Sequence, residues 1–87
     1  MPSRTVTLDN ESGLHARPAR VFARAAAEHE GDVTIAKDGE PVNAKSVLSV
    51  LTLDCHKGDA ITVSTSGAGA EEALDRLVGL IQGGLGE

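Results

Sequence analysis

Apolar residues in this chain of 87 switch between two spacings, and the order of the switches limits the folds open to it. Arg4-Thr5-Val6-Thr7-Leu8 alternates and is β-branched, which predicts a strand. From Ala16 to about Glu28 the spacing becomes helical. Ala19, Phe22, Ala23 and Ala26 share one face, and Arg17, Arg20 and Arg24 share another. Gly31 is expected to stop this helix and His29 to cap its C-terminal end. Asp32 to Lys37 is a second strand. Asp38-Gly39 predicts a tight type I′ hairpin into a third strand over Glu40 to Asn43, where Pro41 marks an edge or a strand start. The apolar run from Val47 to Leu53 fits strand or short helix, and Ser46 as an N-cap favours helix. Ala60 to Thr65 alternates again. Ala70 to about Gln82 carries the stripe Ala70, Ala73, Leu74, Leu77, Val78 and Ile81. Glu71 and Glu72 suit the start of that last helix.

The order is strand, helix, strand, strand, helix, strand, helix. A small sheet covered by helices on one face, an α+β two-layer sandwich, satisfies it most simply. Residues 1–87 are expected to form one domain. Phe22 is the only aromatic, so aliphatic side chains and alanine must build the core between layers. One cysteine, Cys55, excludes an internal disulfide framework and is expected to be a small buried residue in a reducing compartment. No apolar run follows the N-terminus and none is long enough to span a bilayer, which predicts a soluble cytoplasmic protein. The net charge of −5 argues against nucleic acid as a partner. Yet Arg4, Arg17, Arg20 and Arg24 cluster in the first 24 residues, a local basic patch suited to an anionic ligand or partner.

Pro18 stands two residues before Arg20 in a segment that otherwise reads as helix. It is tolerable only in the first turn, where N–H groups have no intrahelical acceptor. That fixes the register: His15 is the N-cap or its neighbour, and Ala16 and Arg17 open the helix. Gly13 lets the preceding loop bend into it. The free amides and the helix dipole make an anion site beside the imidazole, and Arg17 adds a guanidinium suited to phosphate oxygens. Positive surroundings favour the uncharged ring, the form able to attack phosphorus.

Gly13-Leu14-His15-Ala16-Arg17-Pro18-Ala19 resembles the active-site signature of HPr, the histidine phosphocarrier family of the bacterial sugar phosphotransferase system. Lys45-Ser46-Val47-Leu48-Ser49-Val50-Leu51 resembles that family's second signature, around its regulatory serine. The resemblance covers essentially the whole chain. It implies an open-faced β-sandwich, four antiparallel strands with three helices on one face. It implies that His15 accepts a phosphoryl group on Nδ1 from phosphorylated enzyme I, ultimately from phosphoenolpyruvate. His15 would pass it to enzyme IIA domains of sugar permeases, with no cofactor. Arg17 would contact the phosphoryl group, and Ser12, Ala16 and Pro18 would shape the site. Arg20, Arg24, Val47, Leu48 and Leu51 would form a docking surface on a monomer. Ser46 would be either a plain helix cap or a target of an HPr kinase/phosphorylase. Arg20, Ala27 and Ser49 depart from the residues usual at their positions in the family.

Two other readings are a regulatory HPr-like module that binds proteins and a small ligand-binding α+β domain of ferredoxin-like type. The second has no use for the His-Ala-Arg-Pro start. No metal site is expected, since Cys55 and His56 are adjacent in sequence and match no zinc spacing.

Overall fold

A computed structural model describes residues 2–86. The elements run β1 (Ser3–Thr7), α1 (Ala16–Ala27), β2 (Val33–Ala36), β3 (Val42–Asn43), α2 (Val47–Thr52), β4 (Ala60–Thr65) and α3 (Ala70–Gln82). The four strands form one antiparallel sheet in the order β1-β4-β2-β3. The fold class is the α+β two-layer sandwich expected from the pattern, in the open-faced form that the resemblance implies.

Alternation decides which face of the sheet is covered. Ile61 and Val63 of β4 pair with Val6 and Arg4 of β1, and Val63 also pairs with Ile35 of β2. Val6, Val33, Ile35, Ile61 and Val63 are all buried. Their sequence neighbours point the other way, where Thr5 and Thr62 place their hydroxyls 2.9 Å apart on the open face. The helices supply the second layer. Ala19, Phe22 and Ala26 of α1 and Leu74, Leu77, Val78 and Ile81 of α3 close over the sheet. The lone aromatic, Phe22, is fully buried, the largest side chain in a core of aliphatic neighbours.

The ambiguous run after Ser46 is a helix. Ser46 caps it, its side chain accepting from the Ser49 N–H at 3.3 Å. Pro41 lies just before β3, an edge strand, as expected. Three local expectations fail. Asp38-Gly39 is not a type I′ turn: neither residue has positive φ, and five residues separate β2 from β3. The two-residue β3 leaves too short a ladder to enforce a tight turn. Gly31 does not stop α1, which ends at its C-cap Glu28. Gly31 is small because a Cβ there would stand 1.9 Å from the Ser66 carbonyl oxygen. His29 does not cap α1 with its ring, whose Nε2 donates to the Ser66 carbonyl at 2.7 Å.

Phe22→Ala should cost about 3–5 kcal/mol, the range for emptying a fully buried aromatic site. In a domain of this size that lowers the melting temperature by roughly 12 °C or more. Thermal denaturation followed by circular dichroism checks this, and a shift under about 4 °C would show that the core does not depend on the ring.

Candidate functional site

Two loops meet at the N-terminal end of α1. The loop after β1 is held by Asn10, whose Nδ2 donates to the Gly13 carbonyl at 2.8 Å, while the Gly13 N–H donates back to the Asn10 carbonyl. The next N–H, of Leu14, donates to the Cys55 carbonyl at 3.1 Å in the loop between α2 and β4. Gly13 has φ 60°, and a Cβ on it would lie 2.4 Å from the Cys55 oxygen and 2.8 Å from His56 Cα. So this glycine serves both a left-handed turn and a close backbone approach. Leu14 and Cys55 are buried beneath the junction. Burial pushes the Cys55 thiol above its ordinary range, which makes it an inert core residue, as its sequence setting suggests.

The junction sets His15 at the N-cap of α1 in an extended conformation. Its Nδ1 lies 3.1 Å from the Ser12 carbonyl, and its Nε2 lies 3.0 Å from Asp54 Oδ1. The ring is about one-third exposed. Ser12 therefore meets the histidine through its backbone oxygen. Pro18 is buried in the first turn of α1, where its missing N–H costs nothing. Ala16 differs from the regular helical residue expected: its φ is 50°. A non-glycine residue there stores of order 1–3 kcal/mol of strain, a cost that recurs at functional sites. The start of α1 has no side-chain cap and no acidic residue in its first turn, so an anion meets neither competitor there.

The sequence pattern raises His56 only beside Cys55, as a metal reading it rejects, and does not reveal Asp54. Asp54 is 39 positions from its partner His15. It sits just after α2 at φ 51°, and Lys37 Nζ donates to its carbonyl at 2.9 Å. His56 places its ring centroid 4.9 Å from that of His15, with its Nε2 3.5 Å from the same Asp54 oxygen. Its backbone N–H donates to Asp59 Oδ2 at 2.8 Å. That bond, with the Lys37 ammonium 3.3 Å from the same oxygen, holds the Asp59 carboxyl below the usual carboxylate range. The surroundings of His15 are thus not purely positive, as its helix position alone suggests. A signal was present in the adjacency of Asp54, Cys55 and His56, but only the chain crossing at Gly13 brings it to His15.

Arg17, Arg20 and Arg24 are exposed on one face of α1. With Arg76 of α3 they line a groove of ≈ 740 Å³ floored by Val21, Ala25 and Leu80. Arg76 is ion-paired with Glu28. Leu48 is the one large apolar side chain fully exposed among the described residues, at 77%. Val47 is half-buried, and Leu51 is half-buried against the core. Val50 is core. Ser46 stands at the far end of α2 from Asp54, eight positions away or roughly 12 Å at the helical rise.

A family model for the PTS HPr component phosphorylation site matches residues 2–83. The phosphocarrier protein HPr of Streptomyces coelicolor is 49% identical over 88 residues, covering all of this chain and 95% of its own length. The crystal structure of HPr-C-His from Thermoanaerobacter tengcongensis superposes with a TM-score of 0.96 at 37% identity, covering 100% of this chain and 98% of that one. A crystal structure of an HPr dimer from the same organism matches with a TM-score of 0.79 over the full length of both chains, also at 37% identity.

Gly13→Ala should separate the two loops, since its Cβ would overlap backbone rather than a flexible side chain. The expected result is a loss of more than about 1 kcal/mol of stability, with displaced ring resonances for both His15 and His56. Chemical denaturation and histidine-selective NMR check it. Unchanged His15 and His56 signals would show that the close approach does not position the site.

Proposed function

The chain belongs to the HPr family of phosphocarriers, and on that premise we propose that His15 is its phosphoryl-accepting residue, charged by phosphorylated enzyme I and discharged to enzyme IIA domains. The observation that carries this is the pair of contacts on the two edges of the His15 ring. A proton on Nε2 donates to Asp54 Oδ1, 3.0 Å away, and leaves a lone pair on Nδ1. A carboxylate behind an imidazole selects a tautomer and steadies the ring, the logic of an oriented nucleophile. In the other tautomer Nδ1–H donates to the Ser12 carbonyl, 3.1 Å away, and the lone pair faces Asp54 instead. Attack requires the first tautomer and release of the Ser12 contact.

As Nδ1 bonds to phosphorus, the bond from phosphorus to the donor breaks, and no proton needs to leave the ring. Charge on the three phosphoryl oxygens is met by the open N–H groups of α1, by the positive end of its dipole, and by Arg17. Asp54 lies on the opposite edge of the ring, away from those oxygens. The chain acts as a carrier rather than a turnover enzyme: it is itself the phosphorylated intermediate, and it needs no cofactor.

Partners that bear a matching acidic surface dock on the face formed by Arg17, Arg20, Arg24 and the exposed Leu48, flanked by Val47 and Leu51. Exposed cationic and apolar side chains together suit brief encounters. Arg20 widens the cationic face relative to the usual family pattern. Ser46, the cap of α2, is the regulatory position of this reading, where an HPr kinase/phosphorylase would add charge near the same face. A phosphate there is compatible with the start of a helix. The working form proposed for this chain is one domain over residues 1–87, acting as a monomer in the cytoplasm.

Incubation with enzyme I and phosphoenolpyruvate should add one acid-labile phosphoryl group, read by intact mass. His15→Ala should remove that gain with the fold intact, because the ring is not part of the core. Arg17→Ala should slow acceptance roughly 10- to 100-fold, the equivalent of a charge-assisted hydrogen bond worth about 1.5–3 kcal/mol. A His15→Ala protein that still gains the label overturns the assignment, and an Arg17→Ala protein with parental rates shows that the helix amides suffice.

A further inference from the structure

We infer that His15, Asp54 and His56 together form a binding site for a divalent transition metal ion such as Zn²⁺. One donor atom from each residue lies within 4.8 Å of the other two. Asp54 Oδ1 is 3.0 Å from His15 Nε2 and 3.5 Å from His56 Nε2. Nitrogen and oxygen donors held at about 2.0–2.1 Å around a tetrahedral ion stand roughly 3.3 Å apart, so the two distances bracket the spacing an ion requires. Two imidazoles and one carboxylate favour a transition metal over magnesium or calcium, which prefer oxygen. Three protein ligands leave at least one position for water. The side chains are about 33%, 71% and 62% exposed for His15, Asp54 and His56, so an ion can reach them.

A second observation concerns the far edges of the two rings. His15 Nδ1 faces the Ser12 carbonyl at 3.1 Å. His56 Nδ1 faces Asp59 Oδ2 at 3.9 Å, and that carboxylate is itself fixed by the His56 N–H and by Lys37. Metal-bound histidines commonly donate their other N–H to a carbonyl or carboxylate, as His15 can to Ser12, whereas His56 Nδ1 stands beyond hydrogen-bond range of Asp59. His15 therefore has a carbonyl oxygen behind its ring, and both rings face the shared Asp54 oxygen.

The site has a consequence for phosphoryl transfer, and this part rests on the function proposed above. An ion on Nε2 of His15 uses the lone pair there and leaves the proton on Nδ1, donating to Ser12. That is the atom proposed to attack phosphorus. Metal binding and phosphoryl acceptance thus demand opposite tautomers of one ring, and the ion opposes charging of the carrier.

Titration of the full untagged chain with Zn²⁺ by isothermal calorimetry tests the site. One ion per chain is expected. His56→Ala and Asp54→Asn should each weaken binding by at least about 10-fold, and His29→Gln should leave it unchanged. Circular dichroism melts confirm that each variant is folded. No binding at one ion per chain, or the same affinity in His56→Ala, overturns the site. Zn²⁺ should also slow phosphoryl acceptance by the parent several-fold more than by His56→Ala. Equal slowing of the two overturns the antagonism. A chain that binds Zn²⁺ at these residues but never accepts a phosphoryl group refutes the carrier function and leaves the metal site standing.

Discussion

The hydrogen bond from the Leu14 N–H to the Cys55 carbonyl is the contact on which the site depends. It joins two loops that are far apart in sequence but flank the paired neighbours β1 and β4. The crossing is possible because residue 13 has no Cβ, since any side chain there would strike the backbone of Cys55 and His56. The apolar layer beneath supports it, with Leu14 and Cys55 both buried in the common core. Packing of the two layers is thus converted into a fixed separation between His15 and the Asp54–His56 turn. Strain gathers at the same place: Ala16 and Asp54 both adopt left-handed φ angles, which L residues avoid without compensation.

That crossing gives one imidazole two different edges. One edge meets a carboxylate, the other a backbone carbonyl. The helix that follows contributes an uncapped N-terminus and three arginines on one exposed face. Arg4, Lys37, Lys57 and Arg76 are each ion-paired, and Lys45 donates to the His29 carbonyl, whereas no ion pair engages Arg17, Arg20 or Arg24 among the described residues. Cations not engaged in ion pairs in a chain of net charge −5 suit anions from outside the molecule. The proposed phosphoryl transfer and the inferred metal site both follow from the same ring, used in its two tautomers.

Much of this is legible in the sequence because it is local. The period-3.6 pattern places Phe22 and Leu77 on apolar helix faces, and both are buried. Pro18 sets the register of α1, and Ser46 resolves the run after it as helix. The Gly-Leu-His-Ala-Arg-Pro motif carries the family resemblance, which the match over residues 2–83 bears out. The partners of His15 are not legible, since Asp54 and His56 reach it only through long-range backbone docking. Gly31 and Asp38-Gly39 mislead for related reasons. A glycine needed for close approach to Ser66 looks like a helix stop, and a two-residue edge strand has too few ladder bonds to hold the turn its sequence prefers.

In the proposed transfer Asp54 holds Nε2 and so makes Nδ1 of His15 the nucleophile. Long-range ¹H–¹⁵N correlation of the phosphorylated protein, with ¹⁵N in its histidines, locates the phosphorus directly. Coupling of phosphorus to Nδ1 of His15 alone is expected, with His29 and His56 unmodified. Phosphorus on Nε2 of His15, or on His56, would contradict it.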